Sequence, residues 1–213
     1  MLHLQAFTFN PFSENTYLVI NDKKQCWIVD PGMYDAGERS QFNDYIASGG
    51  LQPQAIINTH AHIDHIFGVE DLMKRYDIPF YLHAAEGPVL ASARGAAVMF
   101  GLEFGTIPAA EFSLVAGTPL KLGDDDVLEL RLAPGHSPGS LVLYYAAGGW
   151  AIGGDVLFAG SVGRSDLPGG NHDTLIDSIR TQLLTLPDET KIYPGHGPAT
   201  TIGTERRSNP FLR

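Results

Sequence analysis

Within seven residues, Thr59-His60-Ala61-His62-Ile63-Asp64-His65, the chain places four side chains able to ligate a divalent metal. All four must be aimed at one point, so this segment has to sit where regular structure ends. It follows residues 55–58 (AIIN), which read as a short buried strand. It precedes residues 65–76 (HIFGVEDLMKRY), which read as a helix stopped by Asp77-Ile78-Pro79. A strand exit cannot pair all of its polar groups with backbone, which frees side chains for function. Alternation at the strand end predicts His60 and His62 on one side. Asp64 and His65 follow as the chain turns into the helix.

Three later segments repeat this context. Ala133-Pro134-Gly135-His136 follows a strand expected at 127–132, Gly153-Gly154-Asp155 one at 150–153, and Tyr193-Pro194-Gly195-His196 one at 190–193. Each sets a His or Asp just past a strand beside glycine, which lets backbone approach closely. Taken alone, His136 or His196 is an ordinary loop histidine. Together the four segments supply seven N/O donors, enough for two metals sharing one carboxylate. His3, His83 and His172 fall on strand or helix boundaries and read as structural or surface residues. Cys26, between Gln25 and Trp27 in a strand pattern, reads as core.

Around these segments, strands are expected at 4–9, 16–20 and 25–30, the last two joined by an Asn21-Asp22 turn, and at 80–82, 119–122 and 141–145. Helical spacing marks 38–47, ended by Gly49-Gly50, and 174–186. An Ala-rich stretch at 84–101 reads as helical but broken by Pro88 and Gly95. Strand runs mixed with helices in both halves predict two sheets with helices outside, not one doubly wound sheet. A chain of 213 residues predicts a single domain over 1–213.

Composition excludes several classes. One cysteine rules out a disulfide framework and any Cys-rich zinc module. A net charge of −10 argues against a nucleic-acid partner, which calls for a basic face. No run approaches the ~20 apolar residues of a membrane span, and the N-terminus lacks a signal-peptide pattern, so no membrane association and a cytoplasmic location are expected.

From about Asn15 to Pro210 the sequence resembles the metallo-β-lactamase fold superfamily, and within it the short bacterial glyoxalase II (hydroxyacylglutathione hydrolase) type. The HxHxDH segment, His136, Asp155 and His196 carry the superfamily match. Gly160-Ser161-Val162-Gly163-Arg164-Ser165-Asp166, the segment 195–206 and Asn209-Pro210-Phe211 carry the narrower one. The resemblance implies an α/β fold, an αββα sandwich with a two-metal site at the edge of the two sheets. It implies that His60, His62 and His136 hold one metal, that Asp64, His65 and His196 hold the other, and that Asp155 bridges them. The metals would be divalent, zinc first, with iron or manganese as alternatives. No cysteine stands at a ligand position, unlike the best-known class of true β-lactamases, which argues against lactam hydrolysis.

The implied reaction is hydrolysis of a small anionic thioester such as S-lactoylglutathione, with a metal-bridging hydroxide as nucleophile and Asp64 orienting it. Arg164 lies nine residues after Asp155, where longer relatives carry a basic residue that meets glutathione, and is the candidate substrate contact; pairing with Asp166 is its competing role. The helical substrate domain of the long form is not expected in this chain. Two other readings remain: a persulfide dioxygenase of the same superfamily with one iron, and a non-enzymatic metal-binding module. The Ala/Gly/Phe-rich stretch 84–112 is expected to wall the site, with Met99, Phe100 and Phe104 within reach of the metal cleft.

Overall fold

In the computed structural model, residues 1–123 and 126–213 are described. Two six-stranded sheets form the centre. The first has the order β1 (His3–Phe9), β2 (Glu14–Ile20), β3 (Gln25–Val29), β4 (Gln52–Ile57), β5 (Phe80–His83), β6 (Glu111–Leu114). The second runs β14 (Thr200–Thr201), β13 (Lys191–Pro194), β10 (Trp150–Gly154), β9 (Leu141–Tyr145), β8 (Val127–Leu132), β7 (Pro119–Lys121). A two-stranded ribbon, β11 (Leu157–Phe158) with β12 (Ser161–Val162), follows β10.

Period-two alternation along each strand feeds two different cores. From β3, Trp27 and Val29 point between the sheets, where they meet Leu128, Leu143, Trp150 and Ile152. Cys26 and Ile28 point outward, under α1 (Ala36–Gly49), α2 (Val69–Tyr76) and α3 (Gly87–Met99), against Phe42, Leu72 and Leu90. In the second sheet Val142, Tyr144, Ala151 and Ile192 face outward against Leu175, Ile179 and Leu183 of α4 (His172–Ser178) and its π-helical continuation Ile179–Leu183. The result is the expected α/β architecture, helices, sheet, sheet, helices, or αββα. α5 (Ile202–Ser208) adds Ile202 to the last cluster. Among the described residues, no helix is long and apolar enough to cross a membrane.

Local chemistry sets the element ends. Asp35 caps α1 in a reciprocal box with Glu38, and Gly50 closes it in the left-handed region at φ 60°. Two expectations need correction. The helix expected at 65–76 begins only at Val69, and Ile63–His65 form a 3-10 turn instead. The 84–101 stretch is not broken: α3 runs unbroken from Gly87 to Met99. Pro88 sits in its first turn, where a missing N–H costs nothing. Gly95 faces open space, and an exposed helical glycine costs only about 1 kcal/mol against alanine. Buried Leu90, Ala93 and Ala97 outweigh that.

β4 delivers four donors from the first sheet, and the three strands that deliver the others leave the second sheet at one end. β10 and β13 pair in parallel, and β9 runs antiparallel between β8 and β10, so β8, β10 and β13 all point the same way. Hydrogen bonds tie this end to the first sheet. Asn15 N donates to Gly195 O at 2.7 Å, the Tyr17 hydroxyl to Pro194 O at 2.6 Å, and Leu141 N to Thr59 O at 2.9 Å.

Candidate metal centre

The exits of β4, β8, β10 and β13 converge on one cleft. His60, His65, His136 and Asp155 form its buried floor, while His62, Asp64 and His196 are partly exposed along its mouth. All seven residues singled out in the sequence therefore come together.

One group gathers His60, His62 and His136. His136 Nε2 lies 3.2 Å from His60 Nε2 and 2.8 Å from His62 Nδ1. Three nitrogens bound tetrahedrally to one ion at ordinary zinc–nitrogen lengths sit roughly 3.3 Å apart, so the spacing fits. Burial, then the neighbouring His136, holds His62 down to about 3. Burial, then His65 and His136, holds His60 well below the usual histidine range. Both rings therefore offer lone pairs at neutral pH.

The second group gathers Asp64, His65 and His196. His196 Nε2 stands 3.1 Å from Asp64 Oδ2, and His65 Nε2 stands 3.7 Å from the same oxygen. Asp155 lies between the groups. Its Oδ2 is 3.5 Å from His136 Nε2 and 3.4 Å from His196 Nε2, and its Oδ1 is 3.5 Å from His65 Nε2. Burial opposes charge on Asp155, but His65 and His196 outweigh it and hold the carboxyl well below the usual range. Burial likewise opposes charge on His65, and Asp64 with Asp155 raises its pKa well above the ordinary value. His196 is pushed up to about 10, against burial, by hydrogen bonds to Asp155 and Asp64. The carboxylates thus favour positive charge at their centre, which a proton or a divalent cation satisfies.

Two atoms test whether metals fit. Buried His65 Nε2 and Asp155 Oδ1 face each other without a hydrogen-bond partner, a costly state that a cation between them would relieve. Gly195 lets them stay there: a Cβ on it would run into Asp155 Oδ1 and come within 2.7 Å of His65 Cε1.

Behind the donors lies a supporting layer beyond the seven residues singled out in the sequence. Asp30 Oδ2 meets His65 Nδ1 at 3.2 Å and accepts the Thr59 hydroxyl at 2.6 Å, while Asp30 Oδ1 accepts Thr59 N at 2.7 Å. Asp30, His60 and His65 also cluster closely, but Asp30 is engaged by Thr59 and His65, and both rings turn their other nitrogen to the cleft. They therefore form a brace, not a third centre. His136 Nδ1 and His196 Nδ1 are held by the carbonyls of Arg164 at 2.7 Å and Phe12 at 3.0 Å. Glu86, fully buried, accepts from Ala61 N at 2.9 Å and from the Ser137 hydroxyl and Gly139 N at 2.6 Å each. One carboxylate thereby locks the His60–His62 loop to the His136 loop. The pattern Val29-Asp30-Pro31-Gly32 follows a strand as the ligand segments do, so Asp30 carried a readable signal. Glu86 carried none.

The remaining candidates divide. Arg164 spends its guanidinium on Asp166, with two contacts of 2.8 Å, and only its carbonyl meets the site. The Phe100 ring packs edge-on at 5.3 Å against Phe12, whose carbonyl holds His196. Met99 turns to solvent. Phe104 packs on Phe67 and lines a separate cavity of about 250 Å³ with Tyr34 and Arg39. His3 pairs with Asp22 at the surface, His83 accepts Ala85 N, His172 starts α4, and Cys26 is buried, where burial pushes its thiol up to about 12.

Comparison with known proteins agrees with this geometry. Residues 9–196 match the model of the metallo-beta-lactamase superfamily. The chain is 45% identical to the probable metallo-hydrolase YqgX of Bacillus subtilis, over 95% of this chain and 93% of that one. It is 36% identical to the hydroxyacylglutathione hydrolase GloC of Haemophilus influenzae, over 99% and 98%. Among solved structures, the B3 metallo-beta-lactamase BLEG-1 superposes with a TM-score of 0.90 at 37% identity, covering 99% of each chain. TTHA1623 in a di-iron-bound form gives 0.87 at 40%, covering 98% of this chain and 100% of that one. Sequence, fold and cleft agree: the chain belongs to the metallo-β-lactamase superfamily, as a metal-dependent hydrolase.

Proposed function

We propose that the chain hydrolyses small thioesters, of the S-lactoylglutathione kind, with two divalent ions, zinc first and iron as its main competitor. The observation that carries this reading is the position of Asp155, whose Oδ2 faces His136 of one donor group and His196 of the other at nearly equal distance. The 36% identity to a hydroxyacylglutathione hydrolase supports the substrate class.

His60, His62 and His136 would hold one ion, Asp64, His65 and His196 the other, with Asp155 shared. Ions so held supply a water activated near neutral pH and a polarised carbonyl. The chain's own residues set the rest. Asp64 is kept ionised at the cleft mouth, where burial is outweighed by His65 and His196, so its carboxylate can accept and orient a proton of the attacking water. The buried floor excludes bulk solvent and fixes the donors through Asp30, Glu86 and the backbone carbonyls. A thiolate leaves readily, so no separate general acid is required, and none stands in the donor set.

Two other readings are tested alongside. A one-iron persulfide dioxygenase would leave the Asp64–His65–His196 group idle, although its donor atoms also lie within 4.8 Å of one another. β-Lactam hydrolysis draws on the likeness to BLEG-1. The test is metal content measured together with hydrolysis of S-lactoylglutathione, oxygen uptake with a glutathione persulfide, and hydrolysis of a chromogenic cephalosporin. Thioester turnover with two metals per chain is expected. Oxygen uptake with one iron, or cephalosporin turnover without thioester turnover, would overturn the proposal.

A further inference from the structure

Aromatic rings gather on the His196 side of the cleft; of Phe12, Phe100 and Phe158, Phe12 packs against the outer core cluster. The Phe158 ring lies 6.3 Å from the His196 ring at 82°. His196 Nδ1 bonds the Phe12 carbonyl, and the Phe12 ring carries Phe100 edge-on. Phe100 is 49% exposed and ends a run of exposed apolar side chains, Val98 and Met99. Among the described residues, Phe100 and Phe158 pack into none of the three apolar clusters.

The position of Phe158 is built. It sits on the β11–β12 ribbon directly after Asp155, and that ribbon is pinned from behind. Glu205 accepts Gly160 N at 2.9 Å, and Asn209 donates to Ser161 O at 2.9 Å and to Glu205 at 2.8 Å. One exposed and two half-buried rings beside a cleft fit the usual form of an apolar binding wall.

Charge points the same way. A polar tripeptide thiol with free carboxylates calls for cations, yet the arginines of the two segments that resemble short glyoxalase II are engaged. Arg164 pairs with Asp166; Arg206 pairs with Asp188 and bonds the Leu184 and Leu186 carbonyls; Arg207 lies 3.5 Å from Asp188.

We propose that the preferred substrates are thioesters carrying an apolar arm about the size of a benzyl group, seated against Phe12, Phe100 and Phe158. This rests on the thioester reading above. The arm can belong to the acyl group or to the thiol, and the test separates the two. With metal-loaded enzyme, kcat/KM is measured on S-lactoyl esters of glutathione, N-acetylcysteamine and benzyl mercaptan, and on lactoyl and phenyllactoyl esters of N-acetylcysteamine. An apolar arm on one side is expected to raise kcat/KM about tenfold over its polar counterpart. Phe100→Ser and Phe158→Ser are expected to erase most of that preference, and Phe100→Leu to restore it. Phe100 is half-exposed and belongs to no core cluster, and an unchanged Tm checks that its variants fold. Turnover that ignores the arm, favours glutathione, or keeps its preference in both serine variants overturns the inference and leaves the thioester reading standing. Hydrolysis of none of these esters overturns both.

Discussion

His65 turns its Nδ1 to Asp30 at 3.2 Å and leaves its Nε2, fully buried, facing Asp64 and Asp155. A carboxylate behind an imidazole fixes the tautomer and strengthens the nitrogen on the far side as a donor. Asp30 lies one residue past β3, so the first sheet supplies this brace as well as the four donors that follow β4.

Removing that carboxylate tests the arrangement. Asp30→Asn keeps the shape but not the charge, and should weaken metal affinity by about 10- to 100-fold, read by competition with a chromogenic chelator. Unchanged affinity in a folded variant would remove Asp30 from the site.

Asp155→Ala removes the carboxylate that faces both donor sets. Most bound metal and nearly all turnover should be lost, by elemental analysis beside the thioester assay. Full activity would refute the bridging role.

Glu86 spans the two loops of the first donor group. Glu86→Ala leaves Ala61 N, Gly139 N and the Ser137 hydroxyl unpaired in a buried place, at about 1–3 kcal/mol each before relaxation. A lower Tm together with weaker binding of one metal equivalent is expected. In Glu86→Gln the neutral amide still accepts through one oxygen, so much of the Tm should return while metal affinity stays reduced. Equal metal affinity in wild type and both variants would contradict the role.

The titration directions give a pH profile for chelator-treated protein. His62 takes a proton near 6.5 when unfolded and near 3 when folded, so stability falls as pH drops through that window. His196 runs the other way: its folded pKa of about 10 lies above 6.5, so its contribution is complete below 6.5 and lost as pH rises toward 10. Tm should peak near pH 6.5 and fall on both sides. Added zinc should flatten the alkaline limb, because the ion replaces the proton on His196. A Tm still rising at pH 9 without metal would contradict this.

The donors were legible in the sequence because each sits just past an apolar strand run and beside glycine or another donor, a local pattern. The two-sheet arrangement was legible for a related reason: strands such as β3 are apolar on both faces, as strands covered on both sides must be. Asp30 shares the local pattern, but a lone aspartate before Pro-Gly reads equally as a turn. Glu86 was invisible, because its partners lie 25 to 53 residues away. The break expected at Gly95 failed because glycine propensity is small beside three buried contacts. The short turn that keeps His65 in the cleft was hidden because helical spacing continues through it.

The most direct test of two cooperating metals is titration of metal-free protein with zinc while thioester hydrolysis is followed. Activity should climb to its plateau only as the second equivalent binds, and Asp155→Ala should not reach it. Full activity at one equivalent, with the second adding nothing, would contradict a two-metal centre.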